Sequence, residues 1–353
     1  MKIDRLIEKT TEKEGVKKWK VVAGIVVGLG IVFAGLYGYI FVYSDVDTYL
    51  QDQKLITNLY DFYDLKVGND ETAVYFIGSS IIGRSIYPPE INNILSEKGY
   101  DIKTYNLYYT GDIPLERSLE IQKIIDSNPS LVIYGVTYRS VVSGYDKARF
   151  SERVNLVYDR LDVRDDAYVL FTPSEIEEIC SIPNLDYFMS FVDSAQSYKA
   201  SIQKYGISKN AMLYDYAIDP YGFNYRVNLD KNDETESAIL KAANNPNNVW
   251  RPIITNESTR YKDAFLYNVK TLQDAGVPVL IINMPIHPLM SEKITDESRQ
   301  NFYGLLNQTG ATWYDMERDY DSSFFRDTHH ARFDTGALVF APVMADLIIQ
   351  ELS

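Results

Sequence analysis

Cysteine occurs once in the 353 residues, as Cys180, which excludes an intrachain disulfide framework, a multi-cysteine zinc site and an iron–sulfur cluster. Histidine occurs three times, and none of the zinc or EF-hand ligand spacings is present, so no metal and no other cofactor is expected. Basic residues are in the minority, 35 against 49 acidic ones for a formal charge of −14. A chain so acidic lacks the basic face that phosphate neutralisation needs, and nucleic acid is excluded as a nonspecific partner. Proline and glycine are ordinary in number, 13 and 19, and no 20–50-residue repeat is visible, which rules out collagen-like, low-complexity and solenoid classes. With 46% hydrophobic and 24% charged residues the composition is that of a folded protein, long enough for one enlarged α/β domain.

Long apolar runs are absent too, with one exception. Residues 21–43 read VVAGIVVGLGIVFAGLYGYIFVY, 23 positions without a charge. At about 1.5 Å per residue this suffices for a hydrocarbon core of about 30 Å and reads as a membrane span. A cleaved signal peptide would have a shorter apolar region of about 7–15 residues, and Val42-Tyr43-Ser44 is a poor cleavage site. Seven Lys/Arg precede the run (Lys2, Arg5, Lys9, Lys13, Lys17, Lys18 and Lys20), so the positive-inside rule keeps residues 1–20 cytoplasmic and sends the acidic remainder outside. Residues 44–71 suit a stalk ending at the Gly68-Asn69-Asp70 turn.

From there the pattern alternates. Ala73–Ile77 is a short apolar run opening into Gly78-Ser79-Ser80; a helix is expected near Pro89–Lys98, a strand at Ile102–Leu107, a helix over Pro114–Asp126 and a buried strand at Leu131–Val136. After a gap the alternation resumes with a helix at Tyr261–Ala275, a strand at Val277–Asn283, a helix at Glu292–Leu306, a short strand at Thr312–Tyr314 and a final amphipathic helix at Thr335–Leu352. Strands alternating with helices predict a parallel sheet covered on both faces. Between about 141 and 256 the rhythm breaks, with helical segments expected at Ser151–Leu161, Pro173–Ile182 and Leu185–Tyr205 and an aromatic stretch at Tyr214–Tyr225. This reads as a largely helical insertion within one domain spanning 72–353.

The chemistry-bearing signal joins two distant pieces, Gly78-Ser79-Ser80-Ile81 after the first core strand and Asp327-Thr328-His329-His330 before the last helix. A serine hydroxyl is a weak nucleophile unless a base takes its proton, and a histidine held by a carboxylate is the usual base. In an open parallel sheet the carboxyl ends of the strands form the ligand crevice, where such a serine meets substrate. Local chemistry does not choose between the adjacent His329 and His330, and Ser80 could instead cap the following helix.

With these two blocks the chain resembles the SGNH (GDSL-like) hydrolase family, and among its members the membrane-anchored, envelope-associated branch, over about residues 72–136 and 258–352. The resemblance implies a flavodoxin-like parallel sheet flanked by helices. It aligns Ser80 with the nucleophile, Asp327 with the orienting acid and His330 with the base, Gly336 matching the glycine that follows. It also implies oxyanion donors at Ser80 and at Gly111 within Asn106-Leu-Tyr-Tyr-Thr-Gly111-Asp112, whereas Gly135-Val136-Thr137-Tyr138 carries Thr137 where the family has an asparagine. His287, His329 and Arg139 are the further pocket residues. The implied activity is a membrane-anchored, extracytoplasmic serine esterase or O-acyltransferase acting on acylated envelope glycans or polymers, with a multi-pass membrane protein as a conceivable acyl donor. A catalytically weak glycan-binding or assembly protein of the same fold is the alternative.

Overall fold

The computed structural model describes residues 26–31, 71–109, 111–141, 150, 154, 163–180, 221, 233–245 and 256–353. The chain divides into two compact units, Met1–Lys54 and Leu55–Ser353. Of the first unit only 26–31 is described, a helical stretch with Val26, Val27, Leu29 and Ile31 exposed. The rest of the 21–43 run, the stalk at 44–70 and the 185–205 helix lie outside the described residues.

The second unit is built on five parallel strands: β1 (Thr72–Gly78), β2 (Ile102–Tyr108), β3 (Leu131–Val136), β4 (Val279–Asn283) and β5 (Thr312–Asp315). Their order across the sheet is β2-β1-β3-β4-β5, the flavodoxin-like doubly wound order. Strands β1, β3 and β4 are continuous apolar runs, as strands buried on both faces require, and all but the first residue of β1 are buried. The helices that cover them include α1 (Ser80–Ser85) and α2 (Pro88–Glu97) after β1, α3 (Pro114–Arg117) and α4 (Ile121–Asp126) after β2, and α5 (Pro173–Cys180), α6 (Glu236–Asn244) and α7 (Asn256–Asp274) before β4. Between β4 and β5 stand α8 (Pro288–Ser291) and α9 (Asp296–Gln308), and α10 (Leu338–Leu352) closes the chain. Helix α10 packs on α2, and α7 packs on α3 and α4.

Three expectations need correction. The helix foreseen over Pro114–Asp126 is two short ones separated by a turn at 118–120. The polar residues Glu116, Arg117, Ser118 and Glu120 are buried there, and the Ser118 hydroxyl donates to Leu115 O (2.7 Å), competing with the helical ladder. Helix α6 was not foreseen; its start is fixed by Thr235, whose hydroxyl accepts from Ala238 N (3.3 Å). The C-terminal helix begins late, because Phe333–Ala337 forms a π-type turn ahead of α10. Together Phe333–Leu352 are long and apolar enough to cross a membrane, yet Phe340, Ala341, Met344, Ala345 and Ile348 are buried in the core of the sheet domain.

Of the stretch 141–256, the described part carries α5, α6 and a 3₁₀ segment at Asp165–Leu170. Phe150, Val154, Ala167, Leu170, Phe171 and Ile179 form a small second core with Leu115, Leu119, Tyr261 and Ala264, which seats this part on α3 and α7. Tyr221 reaches the edge strand β2, its carbonyl accepting from Asn106 N (2.7 Å), while Asn92 Oδ1 accepts from Thr104 N (2.8 Å).

Candidate active site

Strand β1 ends at Gly78, whose φ of 144° belongs to glycine and whose Cα faces Gly135 O so closely that a Cβ would stand 2.4 Å from it. The chain then turns sharply. Ser79 is the N-cap of α1, its side chain accepting from Ile81 N at 3.4 Å, and Ser80 is the first helical residue. Capping therefore falls to Ser79, which leaves the Ser80 hydroxyl for another partner.

That partner comes from a loop at the other end of the chain. An isolated antiparallel bridge joins Phe325 to Ala331, with Arg326 N donating to His330 O (2.9 Å) and Arg332 N to Phe324 O (2.8 Å). The bridge closes residues 325–331 into a tight loop carrying both Asp327 and His330. Gly336 lets the π-type turn cross over it, since a Cβ there would lie 2.8 Å from Phe324 O. Within the loop Asp327 Oδ1 accepts from the amides of His329 (2.9 Å) and His330 (2.8 Å), and Asp327 Oδ2 lies 2.6 Å from His330 Nδ1. His330 Nε2 is 2.8 Å from Ser80 Oγ across 250 residues of sequence. The tautomer that satisfies both contacts has the proton on Nδ1, donating to Asp327, with Nε2 accepting from the Ser80 hydroxyl.

Electrostatics favour those charge states. Burial pushes the Asp327 carboxyl up, but the hydrogen bond and charge of His330, with His329 behind them, outweigh it and hold Asp327 well below the ordinary carboxylate range. For His330 burial lowers the pKa and prevails over the hydrogen bond and charge of Asp327, which pull it upward. Arg84 and Arg326 add to the downward push. The pair is an ionised carboxylate beside a neutral imidazole, the arrangement in which a histidine can take a hydroxyl proton.

His329 sits beside this pair with a hydrogen-bond partner of its own. Its ring lies 4.0 Å from that of His330, and its Nδ1 is 2.7 Å from Thr328 Oγ1. Burial first, then the neighbouring His330, brings its pKa down to about 3, with Arg139 and Arg84 pressing the same way and Asp327 opposing. Arg139, in the 3₁₀ turn that follows β3, is thus near enough for its charge to be felt at His329. Ligating atoms of Asp327, His329 and His330 lie within 4.8 Å of one another, close enough to share a cation, but Asp327 Oδ2 and both ring nitrogens of His330 are engaged in the hydrogen bonds just described.

The remaining expected residues occupy neighbouring strand ends. Gly78 pairs with Tyr108 on one side and Gly135 on the other, so the loops carrying Ser80, Gly111 and Thr137 leave the same rim of the sheet. Gly111 adopts φ 65° as the third residue of a turn closed by Asp112 N donating to Tyr109 O (2.9 Å). Thr137 is buried with its hydroxyl facing Ser140 Oγ at 3.4 Å, and its amide donates to the same oxygen (3.1 Å). His287 supports the loop: it is buried, its Nδ1 accepts from Leu289 N (3.2 Å) as the N-cap of α8, and its amide donates to Thr328 O (3.2 Å). Burial lowers its pKa, against the charges of Asp327 and Glu236, which suits a neutral accepting nitrogen. Sequence reasoning passed over Arg84, four residues along α1 from Ser80, and Ser79, whose cap role the Ser-Ser pair could have signalled.

No protein-family model and no curated protein matches the chain. Among solved structures, it is similar to a catalytic mutant of Axe2, an acetylxylan esterase from Geobacillus stearothermophilus, with 10% identity, TM-score 0.36 and coverage of 82% of this chain and 97% of that one. It is similar also to a GDSL-like lipase from Bacteroides thetaiotaomicron, with 9% identity, TM-score 0.35 and coverage of 84% and 97%.

Proposed function

We propose that this protein is a serine-dependent esterase or O-acyltransferase of the SGNH type, with Ser80 as nucleophile, His330 as general base and acid, and Asp327 as the group that orients the imidazole and stabilises the imidazolium that forms. The observation that carries the reading is the Asp327–His330–Ser80 chain of contacts at 2.6 and 2.8 Å, assembled from the two ends of the sheet domain. His330 Nε2 takes the Ser80 proton as Ser80 Oγ bonds to an acyl carbonyl carbon. The carbonyl oxygen gains the negative charge, and the Ser80 and Gly111 amides are its donors. Collapse of the tetrahedral species breaks the ester C–O bond, and the leaving alcohol takes its proton from His330. Water or a second hydroxyl then attacks the acyl carbon as His330 takes its proton, the bond from that carbon to Ser80 Oγ breaks, and His330 returns the proton to the Ser80 oxygen. Hydrolysis and transfer share the first half and differ in the acceptor.

Topology points to the substrate. Residues 21–43 serve in this reading as an uncleaved anchor, supported by their length without charge and by the exposed apolar side chains of the helical stretch 26–31. The seven basic residues ahead of it orient the acidic body outward, towards acylated glycans or polymers of the envelope. One observation favours the weaker-catalyst alternative, a glycan-binding component: the Thr137 hydroxyl, at the position of the family's third oxyanion donor, faces Ser140. A serine-directed fluorophosphonate probe separates the two. Labelling of the wild type that disappears in Ser80→Ala is the expected result, and a folded wild type that takes no label would overturn the enzymatic reading.

A further inference from the structure

The turn that carries Gly111 is gripped at both ends by one buried guanidinium. Arg117 closes α3 and is 1% exposed. Its Nε and Nη2 donate to Asp112 Oδ2 (2.8 and 2.6 Å), Nη2 also donates to Leu107 O (3.2 Å), and Nη1 donates to Glu120 Oε2 (3.3 Å). Leu107 lies in the last stretch of β2 before the turn and Asp112 immediately follows Gly111, so the guanidinium bridges the entry and the exit of the segment that holds Gly111. Arg117 is itself anchored, because α3 begins at Pro114, whose carbonyl accepts from Asn268 Nδ2 of α7 (2.8 Å). From the other side Tyr109 N donates to Gly78 O (2.9 Å), which ties the same turn to the strand end from which Ser80 springs.

We propose that Arg117 is a positioning residue that, by joining Leu107 O to the Asp112 carboxylate, fixes the Gly111 N–H relative to the Ser80 hydroxyl for the charge that develops on the reacting oxygen. The inference rests on the reading of Ser80 and Gly111 given above. Burying a guanidinium among carboxylates is a poor route to stability, since dehydration offsets most of the attraction, and an apolar side chain would fill the volume as well. An apolar side chain would not tie the two ends of a turn together. A backbone donor must stand at about 2.7–3.1 Å from the oxyanion to be effective, and a small displacement at the reacting centre is costly in rate.

The test uses full-length protein and the saturation kinetics of fluorophosphonate labelling, whose phosphoryl oxygen takes the place of the oxyanion. Arg117→Lys keeps a charge in the cluster but cannot span both acceptors. Asp112→Asn keeps the shape and leaves Arg117 its contacts with Leu107 O and Glu120, so it guards against a variant that fails to fold. In each, the maximal labelling rate should fall by about 10- to 100-fold while the half-saturating probe concentration changes by less than about threefold. The acid midpoint of the pH–rate profile should stay at the wild-type value, because His330 and Asp327 are untouched. A folded variant that labels within about twofold of the wild-type maximal rate overturns the positioning role. A fall in rate accompanied by a shifted midpoint overturns it as well, by placing the damage in the Ser80–His330 pair. Absence of labelling in the wild type strikes the underlying reading and removes this inference with it.

Discussion

His330 has to be uncharged to accept the Ser80 proton, and its burial favours that state. The fluorophosphonate labelling rate should therefore follow a single acid limb with its midpoint below the ordinary histidine value of 6.5, and a midpoint above that value would contradict the charge states assigned to the pair. His329 governs a different pH response. Its folded pKa is about 3, so as the pH falls the unfolded chain binds a proton first; the stability this neutral ring contributes is complete above about 6.5 and is lost as the pH drops towards about 3. In His329→Gln the decline of the melting temperature over that window should become shallower, whatever the offset at neutral pH, and an unchanged slope would refute the assignment. These two imidazoles also mark the limit of what single residues disclose. Next to each other in sequence they have the same local chemistry, and what distinguishes them is the closure of the 325–331 loop, a tertiary event. The resemblance to a family selected His330, and the residues alone did not.

Helix α1 carries the proposed nucleophile, Ser80, and its seat against the sheet is unusually close. At Gly83, three residues beyond Ser80, a Cβ would stand 2.4–2.5 Å from ring atoms of the buried Tyr108. Gly83→Val should displace α1 or the ring, lowering stability by about 1–3 kcal/mol and the labelling rate of Ser80 with it. Urea unfolding and the probe assay together check both, and a variant as stable and reactive as the wild type would show that the seat is loose. Which elements could be read in advance follows from how they are stabilised. Strands β1, β3 and β4 announce themselves because a strand buried on both faces is an unbroken apolar run, and most of the helices between them carry apolar stripes. The break at 118–120 does not, since Arg117 finds Asp112, Leu107 O and Glu120 through packing and a charge in sequence reads as an exposed one. The same holds for Arg299 and Glu317, a buried pair (2.7 Å) that links α9 to the segment after β5. Helix α6 buries Ile239 and Ala243, and its start is set by the Thr235 cap.

For the whole molecule the proposed orientation across a membrane can be tested at a residue that takes no part in the proposed chemistry. Cys180 is free, exposed and the single thiol of the chain. With the sheet domain outside, a membrane-impermeant maleimide should modify it in intact cells, and protection until lysis would reverse the proposed topology. The distance in sequence between Ser80 and His330 has its own consequence during synthesis. Ser80 leaves the ribosome 250 residues ahead of His330, its proposed base, a lag of roughly 10–50 s at bacterial-to-eukaryotic elongation speeds. Throughout that interval the Ser80 hydroxyl has no imidazole beside it, and under the proposed mechanism it stays an unarmed alcohol until the far loop arrives.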